Sequence, residues 1–134
     1  MSKNKSVCEI LETSKTIAVV GISSNPMRTS RDTAEYLRRN GYDVVGVNPN
    51  KKFTDANGIK VYNSLLEIPY KIDIVNVFRR SEDIPYIIPD VLKIKPNVLW
   101  LQLGIQNDKA VENVIKQGIE TIQNTCIKVA HSFC

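Results

Sequence analysis

A polar segment with anion-binding chemistry follows the first apolar run of this sequence. It reads GISSNPMRTS and combines one glycine, three serines and an arginine. Gly21 permits a tight turn, Ser23 offers a hydroxyl, and the forked guanidinium of Arg28 suits a phosphate group. The same residues would also serve as a helix-capping loop with a solvated arginine. The segment alone does not separate these two interpretations.

A helix is predicted directly after this turn and would add backbone donors to the site. Thr29 or Ser30 is expected to cap the helix, and Arg31 adds a second guanidinium in its first turn. Arginines and then Gly41 follow at the predicted end, which are typical stop signals. Free amides at the start of such a helix attract anions.

The segment after the second apolar run argues against NAD. The run ends at Val47, Asn48 and Pro49, and Lys51 and Lys52 follow closely. NAD-binding domains place an acidic residue here to bond the ribose hydroxyls, and this segment has no carboxylate. Two lysines suit a phosphate on or near the ribose, which leaves both NADP and coenzyme A open. A solvated lysine pair is the alternative.

Two further segments after apolar runs complete the set. Phe78 and Arg79 stand where an aromatic ring can cover an adenine or a pantetheine arm and a guanidinium can reach a pyrophosphate. Core packing is the alternative for Phe78. Gln102, Leu103 and Gly104 follow the fourth run, and the glycine would allow close backbone approach.

The cysteines and the histidine indicate neither a metal site nor a catalytic set. Cys8, Cys126 and Cys134 have no CxxC spacing, and His131 is the single histidine. An odd cysteine count without a secretion signal argues against a disulfide framework, so all three are expected as reduced thiols. No nucleophile-plus-base set is visible, and His131 is expected at the surface. These features favour a binding role over an enzyme, with no catalytic residues.

Four apolar, β-branched runs and a weaker fifth alternate with helical patterns. The predicted strands cover 16–22, 42–48, 72–78, 97–103 and the run from 119; the helices cover 29–41, 81–95 with an interruption at Pro89, and 107–118. This alternation predicts one α/β, doubly wound, Rossmann-like domain over residues 1–134 with a mainly parallel five-stranded sheet. Residues 1–13 are either a leader or an extra helix. The four polar segments would meet at the carboxyl ends of the strands.

Composition narrows the possible partners. The 134 residues are 43% hydrophobic and carry a formal net charge of +4. No apolar run is long enough to cross a membrane, and the N-terminal stretch lacks a signal-peptide core, so we expect a cytoplasmic protein. The mild positive charge favours anionic partners, but no long basic run indicates nucleic-acid binding. The sequence sets no oligomeric state.

Several segments occur in a characteristic order over residues 14–131: AVVGISSNPMRTS, YLRRNGYDVVGVNPN, VYNSLLEIPYKIDIVNVFRRSEDIP, LWLQLGI and CIKVAH. In this order they resemble the stand-alone CoA-binding protein family and, more distantly, the CoA-binding domain at the start of the succinyl-CoA synthetase alpha subunit. The resemblance implies a Rossmann-like domain that binds coenzyme A above the sheet. It places Gly21, Ile22, Ser23 and Arg28 at the pyrophosphate, Val47, Asn48 and Pro49 at the adenosine, Lys51 or Lys52 near the 3′-phosphate, and Phe78, Arg79 and Gln102 to Gly104 at the rim.

One departure concerns the late cysteine. Relatives often carry a charged pair before it, whereas here Gln123, Asn124 and Thr125 precede Cys126. Any role for that charged pair is therefore in doubt here. Cys126 itself matches, either as a buried structural cysteine or as a thiol that could form a mixed disulfide with CoA.

Three functions follow from these observations. The first is a small protein that binds coenzyme A or an acyl-CoA as a carrier, sensor or regulator. The second is a small enzyme that uses NADP or another nucleotide, against which stands the single glycine of the first turn. The third is an interaction module whose ligand site is vestigial.

Overall fold

β-branched, apolar residues form the central strands of a seven-stranded sheet in the computed structural model, which describes residues 6–134. The strands are β1 (Thr16–Val20), β2 (Asp43–Val47), β3 (Asp55–Ala56), β4 (Ile59–Tyr62), β5 (Ile74–Val77), β6 (Val98–Leu101) and β7 (Glu120–Ile122). Their order in the sheet is β3-β4-β2-β1-β5-β6-β7, and every pair is parallel except β3 with β4. The predicted α/β, doubly wound class is confirmed, whereas the predicted number of five strands is wrong.

The two strands that were not predicted form a tight hairpin. Ala56 pairs with Ile59, which leaves Asn57 and Gly58 as a two-residue loop with φ angles of 52° and 93°. Positive φ at both loop residues is the geometry of a type I′ turn, for which Asn-Gly is a strong sequence signal. That dipeptide could have revealed the hairpin. Its strands are too short to show as apolar runs.

Residues 6–134 form five α-helices and two 3-10 segments in addition to the strands. The helices are α1 (Val7–Thr13), α2 (Thr29–Arg39), α3 (Ile88–Ile94), α4 (Asp108–Lys116) and α5 (Ile127–Ser132), and the 3-10 segments are Leu65–Glu67 and Ser81–Tyr86. The predicted helix 81–95 is therefore two pieces. Pro89 lies in the first turn of α3, where its missing N–H costs no helical hydrogen bond.

The N-terminal part of the chain is an extra helix from Val7 onward, one of the two alternatives for residues 1–13. Ser6 caps α1: its hydroxyl accepts from the Glu9 amide, and the Glu9 carboxylate accepts from the Ser6 amide. This reciprocal capping box stabilises a helix that is too short to persist alone. The first five residues of the predicted leader lie outside the described residues.

Alternate residues of each strand pack against helices on the two faces of the sheet. Ala18 and Val20 belong to an apolar cluster with α3 and α4, and Ile17 and Val19 belong to one with α1, α2 and α5. Trp100 is fully buried in the second cluster. Coverage on both faces explains why the central strands are continuously apolar rather than alternating.

A disulfide joins Cys8 in α1 to Cys134 beyond the end of α5, with their Cα atoms 5.6 Å apart. The expectation of three reduced cysteines is therefore wrong for this pair, whereas Cys126 is a free thiol. The two bonded residues are separated by 126 positions in sequence. They meet because α1 and α5 pack side by side on the same face of the sheet. The spacing of the cysteines in the sequence does not reveal the contact between these two helices.

Candidate ligand-binding site

A crevice forms where the carboxyl ends of β1, β2 and β5 meet. β1 lies between β2 and β5 in the sheet, so the chain continues to β2 on one side of β1 and later returns to β5 on the other side. Ligands of open α/β sheets bind at such a switch point. The Gly21 amide donates to the Val47 carbonyl at 2.9 Å, and the Phe78 amide donates to the Val20 carbonyl at 2.8 Å. These bonds fix the three strand ends relative to one another.

Gly21 is required at its position for two separate reasons. Its φ of +88° lies in the left-handed region, which residues other than glycine rarely adopt. A Cβ atom placed there would lie 2.2 Å from the backbone oxygen of Phe78. The glycine therefore lets the end of β5 approach the turn after β1.

The turn after Gly21 is held by side chains of α2. The hydroxyl of Ser30 accepts from the Ser23 amide at 3.0 Å, and the Arg31 guanidinium donates to the carbonyls of Ser23 and Ser24, both at 3.2 Å. Arg31 is only 7% exposed. We predicted it as a phosphate donor, but its guanidinium instead supports the loop from beneath.

The start of α2 differs from the prediction in its cap. Arg28 occupies the N-cap position, and no side chain caps the helix there. Thr29 and Ser30 already lie within α2, so neither of them is the N-cap. Arg28 is exposed beside this uncapped start and forms no ion pair within residues 6–134. A guanidinium thus stands next to a helix N-terminus, where both favour an anion.

The end of β2 is organised by asparagines. The Asn48 side chain donates to the Ile22 carbonyl at 2.8 Å and accepts from the Asn50 amide at 2.9 Å. Pro49, Lys51 and Lys52 follow in an exposed loop. Asn48 therefore connects the β1 turn to the β2 loop, and both lysines are accessible at the edge of the crevice.

The end of β5 borders a cavity of about 360 Å³. Val47 and Arg79 are the predicted residues that line it, together with Val20, Asn63, Ser64, Leu65, Asp83, Tyr86, Ile87 and Asp90. Phe78 is half-buried and packs against the second apolar cluster, so much of its ring belongs to the core. Asn63 and Ser64 were missed because they follow β4, a strand that was not predicted.

The charges around this cavity are mixed. Asp83 and Asp90 face it together with Arg79, and the neighbouring Arg80 pairs with Asp83 at 3.1 Å. The hydrogen bond to Asp83 raises the pKa of the Arg80 guanidinium. Carboxylates disfavour an anion inside the cavity. The cavity is therefore better suited to an uncharged part of a ligand than to a phosphate.

The end of β6 shows one predicted side chain that points inward. Gln102 is 3% exposed, and its side-chain oxygen accepts from Asn76 at 3.1 Å and from the Ile127 amide at 2.9 Å. Leu103 is 68% exposed, and Gly104 is exposed in a turn at φ +86°. Of this segment, Leu103 and Gly104 are open to a ligand, whereas Gln102 anchors α5.

No hydrogen bond joins Cys126 to His131 among residues 6–134. Cys126 is half-buried at the N-cap of α5, and His131 Nδ1 lies 2.8 Å from the Tyr36 hydroxyl. The half-buried His131 is thus partly in the core rather than at the open surface. Residues 6–134 contain no cluster of three or more side chains suited to a metal ion. None of the helices in that range has the length and apolar character needed to span a bilayer.

The fold is that of a Rossmann-like domain with a crevice at the carboxyl ends of its strands. The sequence profile described as the CoA binding domain matches residues 15–132. That match covers nearly all of the chain, which therefore belongs to the CoA-binding domain family.

Similar proteins cover nearly the whole chain. The uncharacterized protein YneT of Bacillus subtilis is 44% identical over 124 residues, which are 92% of this chain and 90% of YneT. The structure of cell-free ID.343 from Thermus thermophilus is 32% identical with a TM-score of 0.87 and covers 93% of each chain. A hypothetical protein from Pyrococcus horikoshii OT3 is 30% identical with a TM-score of 0.88, over 99% of this chain and 98% of the other.

A larger protein shares the fold alone. An acetyl-coenzyme A synthetase from Ca. Korarchaeum cryptofilum is 20% identical with a TM-score of 0.69. The match covers 82% of this chain but 26% of that one. A single domain of the larger protein thus corresponds to this fold.

Proposed function

We propose that this single domain binds coenzyme A or an acyl-CoA in the crevice at the ends of β1, β2, β5 and β6. In this role it is a non-catalytic carrier, sensor or regulator. Membership of the CoA-binding domain family supports the ligand. The observation that carries the location is the pair of backbone hydrogen bonds from Gly21 to Val47 and from Phe78 to Val20, which gather three predicted segments at one point.

Charge distribution supports the orientation of the ligand. The pyrophosphate would lie over the turn at Gly21, Ile22 and Ser23, next to Arg28 and the uncapped start of α2. Guanidinium groups and helix N-termini both stabilise phosphates. The exposed side chains of Lys51 and Lys52 would reach the 3′-phosphate.

The adenosine would lie against Val47, Asn48 and Pro49, beside the cavity with mixed charge. No carboxylate follows β2 directly, which disfavours the ribose contact that NAD requires. An uncharged base and ribose are compatible with Asp83 and Asp90, which can accept hydrogen bonds from them.

The pantetheine arm would then cross the ends of β5 and β6. β5 lies next to β1 in the sheet and β6 lies next to β5, so Phe78, Arg79, Leu103 and Gly104 follow the pyrophosphate in one direction. The predicted contact from Gln102 would be limited to its backbone, because its side chain already accepts two hydrogen bonds.

A binding role is supported by the surroundings of the single histidine. The ring of His131 bonds to the Tyr36 hydroxyl, and no serine or cysteine side chain bonds to that ring within residues 6–134. Incubation with acetyl-CoA followed by a free-thiol assay tests this point. Release of CoA above the buffer rate would contradict the non-catalytic role.

Isothermal titration with CoA, dephospho-CoA, NADP and NAD tests the ligand and its orientation. We expect CoA to bind more tightly than dephospho-CoA, because the latter lacks the 3′-phosphate. The double change Lys51→Ala and Lys52→Ala should weaken CoA binding about tenfold or more, since charged hydrogen bonds contribute about 1.5–3 kcal/mol each. It should leave dephospho-CoA binding unchanged.

Lys116→Ala is the matched control, because Lys116 is an exposed lysine at the far end of α4. Equal affinity for CoA and dephospho-CoA would overturn the lysine assignment. Binding of NADP without binding of CoA would favour the nucleotide-dependent enzyme, and binding of none of the four would favour the vestigial module.

A further inference from the structure

The disulfide between Cys8 and Cys134 lies near the amino ends of the strands, whereas the proposed crevice lies at their carboxyl ends. Cys134 lines a cavity of about 450 Å³ together with Lys15, Gly41 and Tyr42. Those three residues directly precede β1 and β2, so the cavity opens at the amino ends of the strands. The disulfide is therefore separate from the residues assigned to CoA.

The two sulfur-bearing residues differ in their access to solvent. Cys134 is exposed, whereas Cys8 is half-buried in α1. The residues that line the cavity beside Cys134 also include Lys15, His131 and Glu12. Its volume is within the range of small-molecule sites, and a cationic side chain favours an anionic thiol. A low-molecular-weight thiol can thus reach the Cys134 side of the bond.

The bond joins a short helix to a residue just beyond the end of α5. α1 contains seven residues and is anchored by the buried side chains of Ile10 and Leu11 and by a hydrogen bond from the Tyr42 hydroxyl to the Leu11 carbonyl. Helices of this length do not persist without tertiary contacts. After α5, Phe133 is 85% exposed and gives the end of the chain little apolar anchorage.

We propose that Cys8 and Cys134 form a reversible disulfide that tethers α1 to the end of α5 and that is opened by small thiols. We call this bond the redox clasp. This property is independent of the proposed CoA site. In the first step a small-molecule thiolate attacks Sγ of Cys134. The Cys8–Cys134 bond breaks, a mixed disulfide forms on Cys134, and Cys8 leaves as a thiolate that takes up a proton.

A second thiol molecule completes the reduction. It attacks the small-molecule sulfur of the mixed disulfide, which releases Cys134 as a thiolate and leaves the small thiol as its own disulfide. The protein disulfide gains two electrons and the two small thiols lose two. Oxidised glutathione drives the same steps in reverse and closes the clasp.

The test equilibrates the folded protein in glutathione buffers of graded redox potential, followed by acid quench, alkylation and peptide mass spectrometry. We expect Cys8 and Cys134 to become alkylated in parallel as the buffer becomes more reducing, while alkylation of Cys126 stays constant. Hydrogen exchange at the amides of α1 should quicken about tenfold or more on reduction. Far-UV circular dichroism and Trp100 fluorescence should remain native.

The melting temperature should fall by about 10–20 °C on reduction, because a long closed loop is released in the unfolded chain. Cys134→Ser should reproduce the reduced protein under all conditions, and Cys126→Ser should behave as wild type. Failure of oxidised glutathione to re-form the disulfide between Cys8 and Cys134 would overturn the proposal. Resistance of the bond to thiols until the protein unfolds, or unchanged exchange in α1 after reduction, would also overturn it.

Discussion

Replacing Gly21 with alanine tests whether the crevice depends on close contact between the β1 turn and the end of β5. Alanine at φ +88° costs about 1–2 kcal/mol for the backbone conformation alone. The new Cβ would also lie 2.2 Å from the Phe78 oxygen, so these backbones must separate. Separation weakens the bonds from Gly21 to Val47 and from Phe78 to Val20, each worth about 0.5–1.5 kcal/mol. The expected loss is about 2–5 kcal/mol of unfolding free energy.

Gly118→Ala is the matched control. Gly118 has a similar φ of +83°, but no atom lies within 4 Å of the added Cβ. Its substitution should cost only the conformational part, about 1–2 kcal/mol. Urea denaturation followed by fluorescence of Trp100, the single tryptophan, measures both variants. Equal losses for the two variants would refute the argument from the Phe78 contact.

Three further changes test other contacts. Arg31→Met should lower the unfolding free energy by about 1–3 kcal/mol in urea denaturation, because two loop carbonyls lose their donor; a loss below about 0.5 kcal/mol would contradict a stabilising role for these two hydrogen bonds. Burial raises the pKa of the Tyr42 phenol, so the unfolded chain ionises first and the unfolding free energy should fall as pH rises above about 10. Tyr42→Phe should flatten that alkaline decline, and an unchanged slope would contradict it. Asp32→Asn removes the partner of Lys128 at a half-exposed pair and should cost under about 1 kcal/mol, with the difference disappearing in 1 M salt.

Sequence patterns predict the central part of this fold well. The runs that contain β1, β2, β5 and β6 are apolar and β-branched because both faces of those strands are covered. The glycine after β1 and the absence of a carboxylate after β2 are also visible in the sequence. In the structure, both segments lie at the carboxyl ends of the strands. Local composition carries this information because each feature depends on a few adjacent residues.

Features that depend on contacts between distant segments were not predictable in this way. Arg31 and Gln102 have the side chains of ligand-binding residues, but their partners are a loop and a helix that only the tertiary structure brings near. The pairing of Cys8 with Cys134 depends on the packing of α1 against α5. Asn63 and Ser64 reach the cavity through the short strand β4, whose hairpin partner has only two residues.

Both outer strands of the sheet are short, and this limits how the protein can associate with copies of itself. The sheet ends at β3, with two residues, and at β7, with three. An additional strand would find only a few free backbone groups at either edge, whereas long, flat edges are templates for intermolecular pairing. The apolar strands β1 and β5 lie at the centre of the sheet with both edges paired. Growth of the sheet into a fibre would therefore require loss of the native strand order.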